Sequence, residues 1–230
     1  MKGLINELYF SPGIVKKIFG VRSTFKAIPP LVCYNLYLIL NFEFNFYFPL
    51  SRKTRSEKEV EAKKRLPTLG IKTPRVFSFE DKAVEMEYIK GENLYHFFTR
   101  RGKDEVYRMA MTKGRQTKKV HQRGFAFLDN APHNTVIKDG ELYCLDHEFF
   151  VENADSKQKK ADIITFIAGV RNLEPELFKI IKKGFERGYG EKISIFDEFF
   201  SKVYSIFRLL YERDLTSQKL LNVFYNTFKR

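Results

Sequence analysis

His121-Gln122-Arg123-Gly124-Phe125-Ala126-Phe127-Leu128-Asp129-Asn130-Ala131-Pro132-His133-Asn134 is the stretch on which the reading of this chain turns. Four residues separate Asp129 from Asn134, and eleven more lead to Asp146 in Leu145-Asp146-His147-Glu148. The run between them, Thr135–Leu145, reads as a β-hairpin turning at Asp139-Gly140, a pair suited to a two-residue turn. Asn134 and Asp146 offer an amide oxygen and a carboxylate, hard donors of the type a Mg²⁺ ion takes. Asp129 is a carboxylate able to orient a hydroxyl and take its proton. Each residue also has an ordinary reading: Asp129-Asn130 as an Asx turn ahead of Pro132, and Asp146 as a strand-end carboxylate. Their order, with the hairpin between them, favours the chemical reading.

Upstream of this segment the chain reads mainly as strand. Ile14 to Phe19 is an apolar-basic segment, and Pro29-Pro30 ends the first thirty residues. From Asn35 to Phe48 the sequence alternates strictly: Leu36, Leu38, Leu40, Phe42, Phe44, Phe46 and Phe48 share one face. Period two means strand. The apolar stretch Leu31–Leu50 is not a membrane span, because a spanning helix would bury Asn35, Asn41, Glu43 and Asn45 in hydrocarbon. Ser56-Glu57-Lys58-Glu59 has the form of a capping box opening a charged helix to Leu66, closed by Pro67. Val76–Phe79 and Ala83–Tyr88 read as two strands around Glu80-Asp81-Lys82.

Downstream the pattern is helical: Glu92–Arg101, Asp104–Arg123, Lys160–Val170, Pro175–Arg187, Ser194–Glu212 and Thr216–Phe228. Apolar residues at three-four spacing, such as Phe196, Phe199, Phe200, Val203 and Phe207, mark core faces. The expected fold class is α+β, with a small antiparallel-sheet lobe over residues 1–88 and a mainly helical larger lobe over 89–230.

A chain of 230 residues with 43% hydrophobic content and 24 Phe folds rather than remaining disordered. Its two cysteines, Cys33 and Cys144, make no disulfide framework, which suits a reducing cytoplasmic setting. No apolar run followed by a small-residue cleavage site opens the sequence, so no secretory leader is expected. The net charge of +13 suits an anionic partner, either a nucleotide or an anionic membrane face, or else is the solvated surface of a lysine-rich protein. Nucleic acid is not an expected direct target, since no base-reading motif is present.

From Arg55 to Tyr189 the chain resembles the small, atypical members of the protein-kinase-like superfamily: RIO-type kinases, the KEOPS-complex kinase, and the lipopolysaccharide Kdo and heptose kinases. Four segments carry the resemblance. Glu59-Val60-Glu61-Ala62-Lys63 with Gly70-Ile71-Lys72-Thr73-Pro74-Arg75-Val76 is similar to the family's Glu-Ala helix and the Gly-Val-x-x-Pro-x-Val after it. Val84-Glu85-Met86-Glu87-Tyr88-Ile89-Lys90-Gly91 resembles the hinge that meets adenine. The segment from His121 to Asp146 matches the catalytic loop and the metal-binding Asp. Lys160-Ala161-Asp162 and Gly184-Phe185-Glu186-Arg187-Gly188-Tyr189 are similar to segments of the KEOPS-type kinase.

The resemblance implies a bilobal kinase-like fold and transfer of the γ-phosphoryl of ATP to an alcohol, with Mg²⁺. Asp129 then falls at the general base, Asn134 and Asp146 at the metal, and Glu61 at the helix glutamate that pairs with an ATP-binding lysine. Glu87 and Tyr88 fall at the hinge, and Asp162 at the helix aspartate that holds the catalytic loop. Departures are specific. Phe127-Leu128 precede Asp129 where the family has His-Arg or His-Gly. Glu148 replaces the Gly of Asp-Phe-Gly, offering a second metal contact or a bond to its own loop. No Gly-x-Gly-x-x-Gly loop and no Val-Ala-x-Lys strand stands at the usual distance before Glu61, leaving Lys26 and Lys53 as substitutes.

The implied acceptor is a protein Ser/Thr or a saccharide of a lipopolysaccharide-type glycolipid. An enzyme of the second kind works peripherally at the inner face of a membrane, and the Ile14–Phe19 segment suits that setting. A partner protein fits the first. The rival reading is a pseudokinase-like module that binds nucleotide or a partner without chemistry.

Overall fold

The structure, a computed structural model, describes residues 6–20, Asn35 and 51–212. The alternating stretch Leu36–Phe48, Lys26, Cys33 and the helix expected over 216–228 lie outside the described residues.

Two strands open the fold, β1 (Asn6–Ser11) and β2 (Ile14–Phe19), joined by the tight Pro12-Gly13 turn in which Gly13 takes a φ of +74°. Helix α1 (Arg52–Thr68) follows, then β3 (Val76–Glu80) and β4 (Ala83–Glu87), turning at the Glu80-Asp81-Lys82 segment marked by the sequence. These strands form one antiparallel sheet of order β1-β2-β4-β3. Ile14–Phe19 is therefore an interior strand, paired on both edges, and not a free apolar-basic segment. Along it Lys17 and Phe19 are buried while Lys16 and Ile18 are half-buried, the alternation of a strand with one packed face. Phe19, Val84 and Met86 pack there against Val60 of α1.

Helix α1 starts earlier than the Ser56 capping box predicts. Ser51 is the cap, its hydroxyl accepting from Thr54 N at 3.1 Å. Ser56 is inside the helix and donates to Lys53 O and Asp81 O. Pro67 sits in the last turn rather than beyond it.

A short β5 (Glu92–Asn93) leads to α2 (Leu94–Arg100) and the long α3 (Lys103–Gln122). Then come β6 (Phe125–Ala126), a 3-10 turn at Pro132–Asn134, the hairpin β7 (Thr135–Lys138) and β8 (Glu141–Cys144), and β9 (Val151–Glu152). The hairpin turns where expected: Asp139 and Gly140 both take positive φ, 52° and 77°. Helices α4 (Ser156–Val170), α5 (Pro175–Tyr189) and α6 (Ile195–Glu212) complete the lobe.

The helical core gathers Phe98, Val106, Phe166, Ile167, Ile181 and Phe185, with Phe166 and Phe185 stacked at 4.2 Å. Glycines bring α5 onto α3. A Cβ on Gly188 would lie 1.9 Å from Met111 O, and one on Gly114 2.3 Å from Phe185 O. A second apolar cluster, Ala62, Leu66, Ile71, Val120, Phe127 and Phe150, joins the end of α1 to the catalytic loop. The molecule is α+β, an antiparallel-sheet lobe with a mainly helical lobe, and the segment singled out by the sequence lies at their junction.

Candidate active site

A buried cation, Lys17, stands at the junction of the lobes. Inward alternation on β2 points its Nζ into the junction, 2.9 Å from Glu59 Oε2 and 2.7 Å from Asp146 Oδ1. The lysine stands 42 positions ahead of its helix partner, much farther than the usual spacing, because residues 20–50 intervene. The pattern Val15-x-Lys17 in an alternating strand was the available signal.

The helix partner is Glu59 and not Glu61. Two residues turn an α-helix by about 200°, so Glu61 faces outward, where it accepts from Arg65 at 2.8 Å. Lys53 is likewise remote: it is exposed and 3.7 Å from Asp81. Arg55, Glu59 and Lys63, spaced at i, i+4 and i+8, lie on one helix face. All three are buried, so the helix that reads as charged and solvated turns its charged stripe inward.

That stripe holds the segment from Leu145 to Glu148 residue by residue. Lys63 donates to Leu145 O at 2.6 Å and to Glu59 Oε1. Glu59 Oε2 accepts from His147 N at 3.0 Å, and Arg55 Nη2 reaches Glu148 Oε2 at 2.6 Å. Glu148 thus bonds to α1 and to Asn6, whose amide is 2.9 Å away, rather than offering that oxygen to a metal.

These contacts fix the charges. Burial opposes the ammonium of Lys17, but Asp146, Glu59 and Glu148 outweigh it and hold its pKa above the usual lysine range. Burial likewise disfavours the Glu59 carboxylate, yet Lys17 and Lys63 hold it well below the normal carboxylate range. For Asp146, burial, reinforced by Glu148 and Glu59, prevails over Lys17 and pushes it up to about 6. His147 is held well below its ordinary value by burial and by Lys63, so its neutral ring accepts from Lys63 Nζ at 3.1 Å.

The catalytic loop is braced from α3, α4 and α5. Asp162 Oδ2 accepts from Phe127 N and from His121 Nε2, both at 2.9 Å, and the other ring nitrogen of His121 meets Tyr189 Oη at 2.9 Å. His121, Asp162 and Tyr189, read from separate segments, form one chain of bonds. Asn130 ties the loop to Thr165 and Thr117. Leu128, immediately before Asp129, takes a φ of 61°, a conformation costly for a bulky side chain and held by these surroundings. Asp129 and Asn134 meet directly: Asn134 Nδ2 donates to Asp129 Oδ2 at 2.9 Å and to its carbonyl at 3.2 Å.

At the hinge, Glu87 N donates to Arg75 O and Tyr88 N to Gly13 O. Both main-chain donors are engaged within the protein, and the Tyr88 ring packs edge-on against Phe10 at 5.4 Å. Gly91 passes so close to the hairpin that a Cβ would lie 2.3 Å from Ile137 O.

The donor set fits Mg²⁺. With its amide nitrogen committed to Asp129, Asn134 keeps its carbonyl oxygen for a cation. Asp146 offers a half-buried carboxylate crowded by two others. Among the described residues no group of three or more His, Cys, Asp and Glu forms a metal cage, but Mg²⁺ bound beside phosphates needs only one or two protein oxygens.

The RIO domain family profile matches residues 50–162. Over 145 residues the chain is 28% identical to the KEOPS complex subunit Bud32 of Pyrococcus abyssi, covering 61% of this chain and 64% of that protein. Over 157 residues it is 23% identical to a probable bifunctional tRNA threonylcarbamoyladenosine biosynthesis protein of Methanospirillum hungatei, covering 68% of this chain and 28% of that one. The chain therefore spans less than two thirds of the length of either relative. Among solved structures, the streptomycin–ATP–APH(2″)-IIa ternary complex superposes with a TM-score of 0.56 at 12% identity, covering 100% of this chain and 90% of that one. WaaP in complex with acyl carrier protein gives 0.53 at 11%, covering 95% and 84%. At such identities these structures speak for the fold, and the profile and the Bud32 match speak for sequence descent. Sequence and fold together support a protein-kinase-like superfamily for the chain.

Proposed function

We propose that the chain is an ATP- and Mg²⁺-dependent phosphotransferase acting on an alcohol. The observation that carries this reading is Lys17 Nζ at 2.7 Å from Asp146 and 2.9 Å from Glu59, across the junction from the bonded pair Asp129 and Asn134. Bound Mg²⁺ supplies neutralisation of phosphate charge, and Asp146 and Asn134 are the residues to hold it. Lys17 offers its ammonium to the phosphates, and Glu59 keeps it aimed. Asp129 orients the acceptor hydroxyl and receives its proton, with Asn134 fixing the carboxylate. The buried backing of Asp162 and His121 holds this loop in place.

The acceptor we favour, on the resemblance of Lys160–Tyr189, is a protein Ser or Thr, and a glycolipid saccharide is the other candidate; a KEOPS complex subunit among the relatives supports a partner protein bound alongside. Such an enzyme works in the cytoplasm, free or at the inner face of a membrane. Lys17 is our candidate for the lysine whose absence favours a non-catalytic module. That rival reading is left with Phe127-Leu128 in place of the loop histidine and with the lack of a glycine-rich loop.

The test is thermal stabilisation by ATP with and without Mg²⁺, together with ATP turnover, for the native chain, Lys17→Met, Asp129→Ala and Asp146→Ala. Stabilisation and turnover in the native chain, with turnover lost in all three variants, are expected. Stabilisation without turnover would make the chain a nucleotide-binding module, and neither response ends the proposal.

A further inference from the structure

Glu148 occupies the position where a kinase-type metal loop has glycine, and its carboxylate is buried among three donors. Arg55 Nη2 lies 2.6 Å from Glu148 Oε2, Asn6 Nδ2 2.9 Å from the same oxygen, and Lys17 Nζ 3.7 Å from it. Arg55 also donates to Asn6 Oδ1 at 2.9 Å, closing a triangle between the first strand, α1 and the metal loop. Arg55 and Glu148 have side chains 1% and 3% exposed. Buried ions need such partners, because an uncompensated charge in the interior is expensive.

We propose that Arg55 is a positioning residue of the site: by satisfying Glu148, it keeps Lys17 on Asp146. Lys17 is the cation shared between the two carboxylates, nearer to Asp146 by a full ångström. With Arg55 gone, Glu148 remains buried and takes Lys17 for itself. The ammonium then leaves Asp146, and the site loses the alignment of lysine, helix glutamate and metal ligand together. Glu148 acts here as the anchor of Arg55. Its consequence for nucleotide binding rests on the phosphotransferase reading, whereas the consequence for Lys17 rests on the ion pairs alone.

The full chain is compared with Arg55→Met, Arg55→Lys, Glu148→Gln and the double variant Arg55→Met/Glu148→Gln. Two quantities are measured: the dissociation constant of Mg²⁺-ATP, and the rate at which Lys17 is acylated by a pulse of N-hydroxysuccinimide ester, read by mass spectrometry. Arg55→Met is expected to weaken Mg²⁺-ATP about 10- to 100-fold, the range for residues that orient a metal ligand. Arg55→Lys recovers part of the loss. The double variant binds better than Arg55→Met, because the carboxylate that captured Lys17 is absent. If instead the two single losses multiply in the double variant, Glu148 is itself a metal ligand and the proposal falls. If the native chain binds no Mg²⁺-ATP, the phosphotransferase reading fails, and the acylation rate decides here. A rate altered in Arg55→Met and restored in the double variant upholds the inference, and identical rates overturn it. Should Arg55→Met not fold, Asn6→Ala removes one donor from the triangle and is judged by the same comparisons against Glu148→Gln.

Discussion

Lys17 and Asp146 meet at 2.7 Å although 129 positions separate them in sequence, and the contact joins a strand of the sheet lobe to the Leu145–Glu148 segment of the helical lobe. Removing the lysine leaves Glu59, Asp146 and Glu148 in a buried site with one cation fewer. Lys17→Met should therefore lower stability by about 3–5 kcal/mol, as for the broken half of a buried pair, together with abolishing turnover. Urea unfolding checks the first and an ATP turnover assay the second. Full stability in the variant would mean that the three carboxylates are neutralised elsewhere.

The metal loop and its hairpin were legible because their determinants are local: Asp139-Gly140 selects the turn, and the turn sets the separation of Asn134 from Asp146. The same locality gave β3, β4 and the long helices. Lys17, Arg55 and Glu59 were not legible in that way. Their meaning depends on which face of β2 and α1 is buried, and a charged stripe at i, i+4 and i+8 reads as solvated until its partners are known. Glu61 is the better match by motif, and only the inward packing of the Arg55, Glu59 and Lys63 face turns it outward. Tertiary pairing of buried charges leaves no periodic apolar signal, which is why this part of the site had to be seen in three dimensions.

The raised carboxyl of Asp146, at about 6, gives a pH dependence of defined sign. An acid whose folded pKa exceeds its unfolded value holds its proton more tightly in the native state, so its ionisation lowers stability as pH rises from about 4 through 6. A divalent cation needs the ionised form, which Lys17, Glu59 and Glu148 surround. Mg²⁺ or Mn²⁺ should bind about tenfold more weakly at pH 5 than at pH 7.5, with a plateau above pH 7. Titration by calorimetry at several pH values measures this, and Asp146→Asn should flatten the profile.

The chain Phe127–Asp162–His121–Tyr189 predicts graded losses. Asp162 is fully buried and accepts two bonds through one oxygen, so Asp162→Ala orphans a main-chain donor and an imidazole together. A loss of about 3 kcal/mol or more is expected, from desolvated partners left unmade. Tyr189→Phe removes one bond at the end of the chain and should cost about 1 kcal/mol. Chemical denaturation of both variants tests the order, and equal losses would show that the bonds do not act as a chain.

Gly188 has no room for a methyl group, since its Cβ would enter the carbonyl of Met111. Gly188→Ala must push α5 off α3 and disturb Phe185 and Tyr189 on the same helix. Destabilisation of about 1–3 kcal/mol or more is expected from overpacking. Exposed Gly140 should instead lose stability through its positive φ alone, without displacing any neighbour. A crystal structure or amide exchange along α5 separates the two effects, because only Gly188→Ala moves the helix.

Asp129 separates binding from chemistry. Its carboxylate is bonded to Asn134 and lies outside the buried cluster around Lys17, so Asp129→Asn should leave Mg²⁺-ATP affinity near that of the native chain. The neutral amide still accepts from Asn134 and preserves the loop, but it cannot take a proton from the acceptor. Turnover should then fall about 10²- to 10⁴-fold, the usual contribution of a positioned general base. Lys17→Met should instead depress both affinity and turnover, since in the proposed reaction its ammonium is the group offered to the phosphates. Steady-state kinetics on the two variants, with ATP binding measured separately, gives the comparison. Turnover that survives in Asp129→Asn would move the base to another residue and leave Asp129 as a partner of Asn134.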